Sequence, residues 1–172
     1  MSFLDASRSQ TLLQVAETRL KQFLAGDTLT FLDHNPELRE LQAKEFGPAL
    51  EKLRKNFGIS LEFKEDMHGL AQPAAQPELE ALLRSLATWQ KFALDSASGL
   101  LKSTGLALLL CFGHVSPAKA LELSRLEEQF QVDRFGAIEE FHGIEETEIQ
   151  LKLTAIRLFW KLMIQCPNQN LH

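Results

Sequence analysis

The sequence predicts an all-α domain of six or seven helices, and three observations carry that prediction. Apolar residues recur at spacings of three and four along most of the chain. Helix-start pairs stand at Asn35-Pro36, Gln76-Pro77 and Ser116-Pro117, each followed by such a stripe. Only residues 59–63 alternate clearly as a strand does, and no second run offers them a partner.

Taken in order, residues 7–25 form the first helix. Leu12, Leu13, Ala16, Leu20, Phe23 and Leu24 make its buried stripe, and Gly26 stops it. Residues 27–34 are a connector. Asn35, Pro36 and Glu37 then supply a cap, a preset φ and an acid near the positive helix end. Leu38, Leu41 and Phe46 face inward, Gly47-Pro48 kinks or divides the helix, and Leu50, Leu53 and Phe57 continue it to Gly58. The longest loop is expected over 64–76. From Pro77 one stripe runs through Leu79, Leu82, Leu83, Leu86, Trp89 and Ala93, with a break near 96–99. Residues 100–112 are apolar nearly all round and should form the central, most buried helix, ended by Gly113-His114. Ser116 caps a helix running to about Arg134, where Phe135-Gly136 interrupts it. Residues 144–164 form the last helix, with Ile149, Leu153, Ile156 and Trp160 on one side. The expected organisation is one helical domain over 1–172, ordered over about 7–165, with 166–172 a frayed tail.

Composition narrows the function. With 172 residues the chain can bury a core without metal or disulfide staples. A net charge of −5 argues against nucleic acid as partner, since phosphate contacts need clustered bases. The longest apolar run, 106–112, is far too short to span a bilayer. Residues 1–9 lack the apolar core of a secretory signal. Cys111 and Cys166 stand in no metal or redox spacing and read as reduced core residues.

No phosphate loop, nucleophile elbow or CxxC pair is present. Two E-x-x-H pairs, Glu65 with His68 and Glu139 with His142, match half of a di-iron ligand set. Both fall beside glycines rather than mid-helix, so no metal, cofactor or catalytic residue is expected. A metal-dependent helical enzyme is the alternative reading, and a generic helical adaptor another.

Charge is unevenly placed. Residues 122–148 hold nine acids and only two bases, Arg125 and Arg134, a local net of −7. On one continuous helix, with Leu123 at zero, Leu126 lies at about −60° and Phe130 at about −20°. Glu127 then lies at about +40°, inside the apolar arc, with Arg134 at about +20°, two turns away. A carboxylate there must be paired or face a partner. Glu128, at about +140°, faces solvent.

These residues carry a resemblance. The segments Leu101-Lys102-Ser103, Ser116-Pro117-Ala118-Lys119-Ala120 and Ser124-Arg125-Leu126-Glu127-Glu128-Gln129-Phe130-Gln131 resemble the ATP synthase assembly chaperones that act on the alpha subunit. Gly26-Asp27-Thr28 through Glu37-Leu38, and Leu41-Gln42 to Phe46-Gly47-Pro48, resemble the same family over roughly residues 15–165. Phe135-Gly136 stands where the family has W-G, and His142-Gly143 where it has H-D. The resemblance implies the family's helical carboxy-terminal domain without its amino-terminal β-rich region. It also implies a non-enzyme, monomeric when free, that binds the unassembled alpha subunit and shields its interface until the ring forms. The place would be the mitochondrial matrix, with the targeting segment outside this chain and no insertion into membranes. Glu127 matches the family's functional acid, and Gln131, Arg134, Phe135 and Glu139 are its expected companions in partner binding.

Overall fold

A computed structural model describes residues 3–64, 77–136 and 142–165. Eight α-helices lie among them: α1 (Phe3–Ala25), α2 (Pro36–Phe57), α3 (Pro77–Ser85), α4 (Thr88–Leu101), α5 (Thr104–Cys111), α6 (Pro117–Ser124), α7 (Leu126–Phe135) and α8 (His142–Gln165). The all-α expectation holds, with more helices than six or seven because two expected helices, the one from Pro77 and the one from Pro117, are each broken once.

The helix-start signals act as written. Asn35 accepts from the amides of Glu37 and Leu38, Ser116 from that of Lys119, and proline follows each as the first helical residue. Gln76 lies outside the described residues, as do 65–76 and the tail 166–172. Gly47-Pro48 does not divide α2, which runs unbroken through Pro48 to a left-handed Gly58 at φ 69°. Without a Cβ, Gly47 relieves the clash that proline imposes on the residue before it.

The breaks fall elsewhere than expected. The chain does not open near 96–99, where α4 is continuous. It opens at Leu86-Ala87, where Ala87 is extended and its amide donates to the Gln90 side chain at 2.8 Å. The apolar run over 100–112 is cut at Lys102, which turns left-handed at φ 52° and lets Ser103 cap α5. The third break is Arg125, whose φ of −116° parts α6 from α7. Residues 59–63 form no strand. Beyond them, Lys64 pairs with Phe31 in an isolated parallel bridge, its amide donating to Thr30 O at 2.7 Å.

Helix α5 is the centre, as its composition predicts. All eight of its residues are buried, and α1, α2, α4, α6 and α8 pack around it. The stripe of α1 is buried at Ala16, Leu20 and Leu24, but Leu12 is exposed, N-terminal to the ion pairs at Glu17 and Arg19 that join α1 to α4. Ion pairs Arg19–Asp95 and Lys91–Glu17 fasten α1 to α4, and Lys119–Glu45 fastens α6 to α2. Helix α8 docks through Leu153 and Trp160, whose indole meets Phe112 and Trp89 edge to face at 5.1 and 5.7 Å. Arg157 of α8 donates to the Cys111 carbonyl at 3.0 Å, a cation placed at the negative end of α5.

Candidate partner-binding surface

Two buried groups titrate far from their ordinary values, and such groups often mark functional sites. Burial pushes the Cys111 thiol up to about 12, which leaves it an unreactive core residue. Asp27, in the connector between α1 and α2, has no exposed surface. Its Oδ1 accepts from the Leu29 amide at 3.2 Å and the Ser103 hydroxyl at 2.7 Å, and its Oδ2 from the Gly105 amide at 2.8 Å. Burial raises its pKa to about 6, against the lowering effect of those donors. The carboxylate is saturated from within the chain and closes the first turn of α5, so it holds the fold together and leaves no atom for a ligand.

The sequence-singled residues lie on α7. Glu127, Gln131, Arg134 and Phe135 recur at i, i+4, i+7 and i+8, so they share one face, and all four are exposed. Phe135 is 80% exposed, a full aromatic ring standing among charges. Arg134 donates to Glu37 of α2 at 2.6 Å and stands 5.9 Å from the Phe130 ring centroid. Glu139 lies outside the described residues.

This corrects the expected place of Glu127. It is not in an apolar arc, and among the described residues it accepts from the Gln131 amide at 3.4 Å, while Arg134 turns to Glu37. The reason is the break at Arg125. The phase counted from Leu123 does not carry across a residue with φ −116°. On α7 itself the one buried residue is Leu126, and Glu127 points about 100° away from it. Glu128 is exposed, as expected.

A residue that the wheel left aside organises this region. Arg125 is largely covered and reaches Glu128 at 3.6 Å and, on α8, Glu145 and Glu146 at 3.5 Å each. It gathers acids from two helices around one guanidinium, at the residue where the backbone leaves helical geometry. Its signal in the sequence was its rarity as one of two bases among nine acids. Beside it, Leu41, Leu121, Leu126 and Phe130 line an open groove of about 380 Å³ between α2, α6 and α7. Apolar walls with a charged rim suit an apolar side chain of a partner better than a polar metabolite. Of the two E-x-x-H pairs, Glu65, His68, Glu139 and the His142 side chain lie outside the described residues. Among the described residues no three His, Cys, Asp or Glu side chains are grouped to hold a metal.

No family model matches the chain. In sequence it is 28% identical over 152 residues to the mitochondrial protein Atp12 of Schizosaccharomyces pombe, covering 83% of this chain and 52% of that one. The chain therefore spans about half the length of that curated relative. In fold it is similar to the crystal structure of Atp12 from Paracoccus denitrificans, with a TM-score of 0.73 and 23% identity over 86% of this chain and 64% of that one. A point mutant of the same protein superposes at 0.76, with 22% identity over 89% of this chain and 66% of that one. A protein of Agrobacterium tumefaciens described as a candidate chaperone superposes at 0.72, with 20% identity over 88% and 57%. The family that the Ser124–Gln131 run resembles is thus the one these comparisons return: in sequence the chain is similar to Atp12, and in fold to the Atp12 structure.

Proposed function

We propose that this chain is an assembly chaperone of the F-type ATP synthase that binds the unassembled alpha subunit in the mitochondrial matrix and performs no catalysis. The observation that carries the reading is the similarity to Atp12, which runs through the S-R-L-E-E segment. The geometry of α7 supports it. A free subunit exposes apolar interface that aggregates unless covered. A cover that must later leave is best built as a small apolar anchor within a polar rim, because a wide apolar face would not release. Phe135 beside Glu127, Gln131 and Arg134 is such a patch, with Glu139 expected to extend it.

The test is binding of purified alpha subunit to the chain. Association is expected, and Phe135→Ala should weaken it by about tenfold, the loss typical of an aromatic anchor. Phe135 is too exposed for that change to disturb folding. Association with the beta subunit alone, or alpha-subunit binding indifferent to both Phe135→Ala and Glu127→Gln, would overturn the assignment.

A further inference from the structure

The groove between α2, α6 and α7 lies apart from the α7 stripe. Its apolar wall is Leu41, Leu121, Leu126 and Phe130. Leu121 and Leu126 are buried, while Leu41 and Phe130 are half-buried and meet the opening. On α7, with Leu126 at zero, Gln129 lies at about −60°, Asp133 at about −20° and Phe130 at about +40°. Glu127, Gln131, Arg134 and Phe135 spread over about +80° to +180° on the same scale. One short helix thus presents two different faces.

The charge at the mouth of the groove survives the pairing inside the chain. Glu122, Asp133 and Glu146 line it against one base, Arg125. Arg125 is shared among Glu146, Glu145 and Glu128. Lys119 is shared between Glu122 at 2.7 Å and Glu45 at 2.8 Å. Asp133 accepts from the neutral Gln129 amide at 2.7 Å. Arg134, beside the Phe130 ring, is taken by Glu37. Lys44 also acts on Glu45, and with it three bases stand against six acids. The excess is acidic after every pair is counted.

That sign selects the occupant. Nucleic acid and anionic lipid are repelled by it. A second copy offering the same face would set acids against acids, and a chain of net charge −5 resists close approach of its own kind. A partner protein that brings bases is drawn in, and the apolar wall then takes an apolar side chain between them.

We infer that this groove is a docking site for a segment of a partner protein that carries large apolar side chains flanked by lysine or arginine. The inference goes beyond the client assigned above and holds whichever protein supplies the segment.

A fluorescently labelled peptide with leucines and a phenylalanine on one side and lysines around them is a sufficient probe. Its anisotropy is expected to rise on titration with the chain, and less so as salt is added. Ala118→Phe places a ring in the groove from an exposed position and should weaken binding by about tenfold. Asp133→Lys, also at an exposed position, should do the same in low salt. Circular dichroism checks that both variants fold. A peptide with glutamates for the lysines, and one with serines for the apolar residues, should each bind about tenfold more weakly. No binding, equal binding of either control peptide, or binding untouched by both variants overturns the proposal. Loss of binding in Phe135→Ala but not in Ala118→Phe would place the peptide on the α7 stripe and overturn it as well. So would sedimentation showing self-association that Ala118→Phe abolishes, since a second copy would then be the occupant. Alpha-subunit binding is not read in this experiment, so its outcome is separate from that of the functional assignment.

Discussion

Asp27 and Glu127 are carboxylates in opposite circumstances, and the contrast separates what holds this molecule together from what it offers outward. Asp27 is wholly buried and meets three donors drawn from Leu29, Ser103 and Gly105. Glu127 is exposed and, among the described residues, meets the Gln131 amide at the limit of a hydrogen bond. A buried carboxylate exists only where the fold supplies donors, so Asp27 reports on the fold. An exposed one contributes little to stability, so a role for Glu127 has to lie in what it meets outside.

The largest effect should come from removing the buried group. Asp27→Ala strands the Leu29 and Gly105 amides and the Ser103 hydroxyl, and should cost about 3–5 kcal/mol by chemical denaturation. Gly105→Ala attacks the same node from the other side, since its Cβ would stand 2.8 Å from Leu53 Cδ1 and 3.2 Å from Asp27 Oδ2. A loss below about 1 kcal/mol for Asp27→Ala would show that water reaches the node and that the contrast with Glu127 is false. Next in size is Leu109→Ala at the centre of α5, where a fully buried leucine leaves a cavity worth about 2–5 kcal/mol.

These two sites were not equally legible in the sequence. Helix α5 announces its burial by composition, because no face of it is polar. The caps at Asn35 and Ser116 were legible because donor and acceptor lie within three residues. Asp27 was not, since its donors Ser103 and Gly105 lie more than seventy positions away and nothing local selects them. Nothing local marks the break at Arg125 either, and two of its acids, Glu145 and Glu146, belong to another helix. The break resets the phase of α7 and moves Glu127 from the inside to the outside. The α7 stripe itself was legible as a set, because residues at i, i+4, i+7 and i+8 share a face wherever the helix begins.

A smaller, pH-dependent effect sharpens the comparison. Asp27 titrates near 6 in the folded chain, above the ordinary 3.8 that it has when unfolded. The folded state therefore holds this proton more firmly. The advantage is fully present below about 3.8, is lost as pH rises through about 6, and amounts to about 2–3 kcal/mol. Glu45, Glu51, Glu80 and Glu148 are held below the usual range by hydrogen bonds from Lys119, Arg54, Lys21 and Lys152. They act in the opposite sense, gaining stability as pH rises, so the informative quantity is a difference between variants. Asp27→Asn cannot ionise. Its stability relative to the native chain should improve between pH 4 and 7, and parallel curves would show that Asp27 does not titrate in that window.

The smallest expected change in stability is at Glu127, and there the comparison meets function. Glu127→Gln keeps the size and the hydrogen-bonding capacity of the side chain and removes only its charge. Because the group is exposed and its hydrogen bond to Gln131 is long, the unfolding free energy should move by less than about 0.5 kcal/mol. Glu128→Gln is the control, since it lies on the same helix at similar exposure but is partnered by Arg125 at 3.6 Å. If α7 grips the alpha subunit, Glu127→Gln should weaken binding while Glu128→Gln leaves it nearly unchanged. The salt dependence of binding should fall in the first variant alone, because the lost contact is a charge at the rim. Equal effects of the two variants would mean that the acidic field of residues 122–148 steers the partner as a whole. A stability loss of several kcal/mol in Glu127→Gln would put its carboxylate back among the buried groups and erase its difference from Asp27.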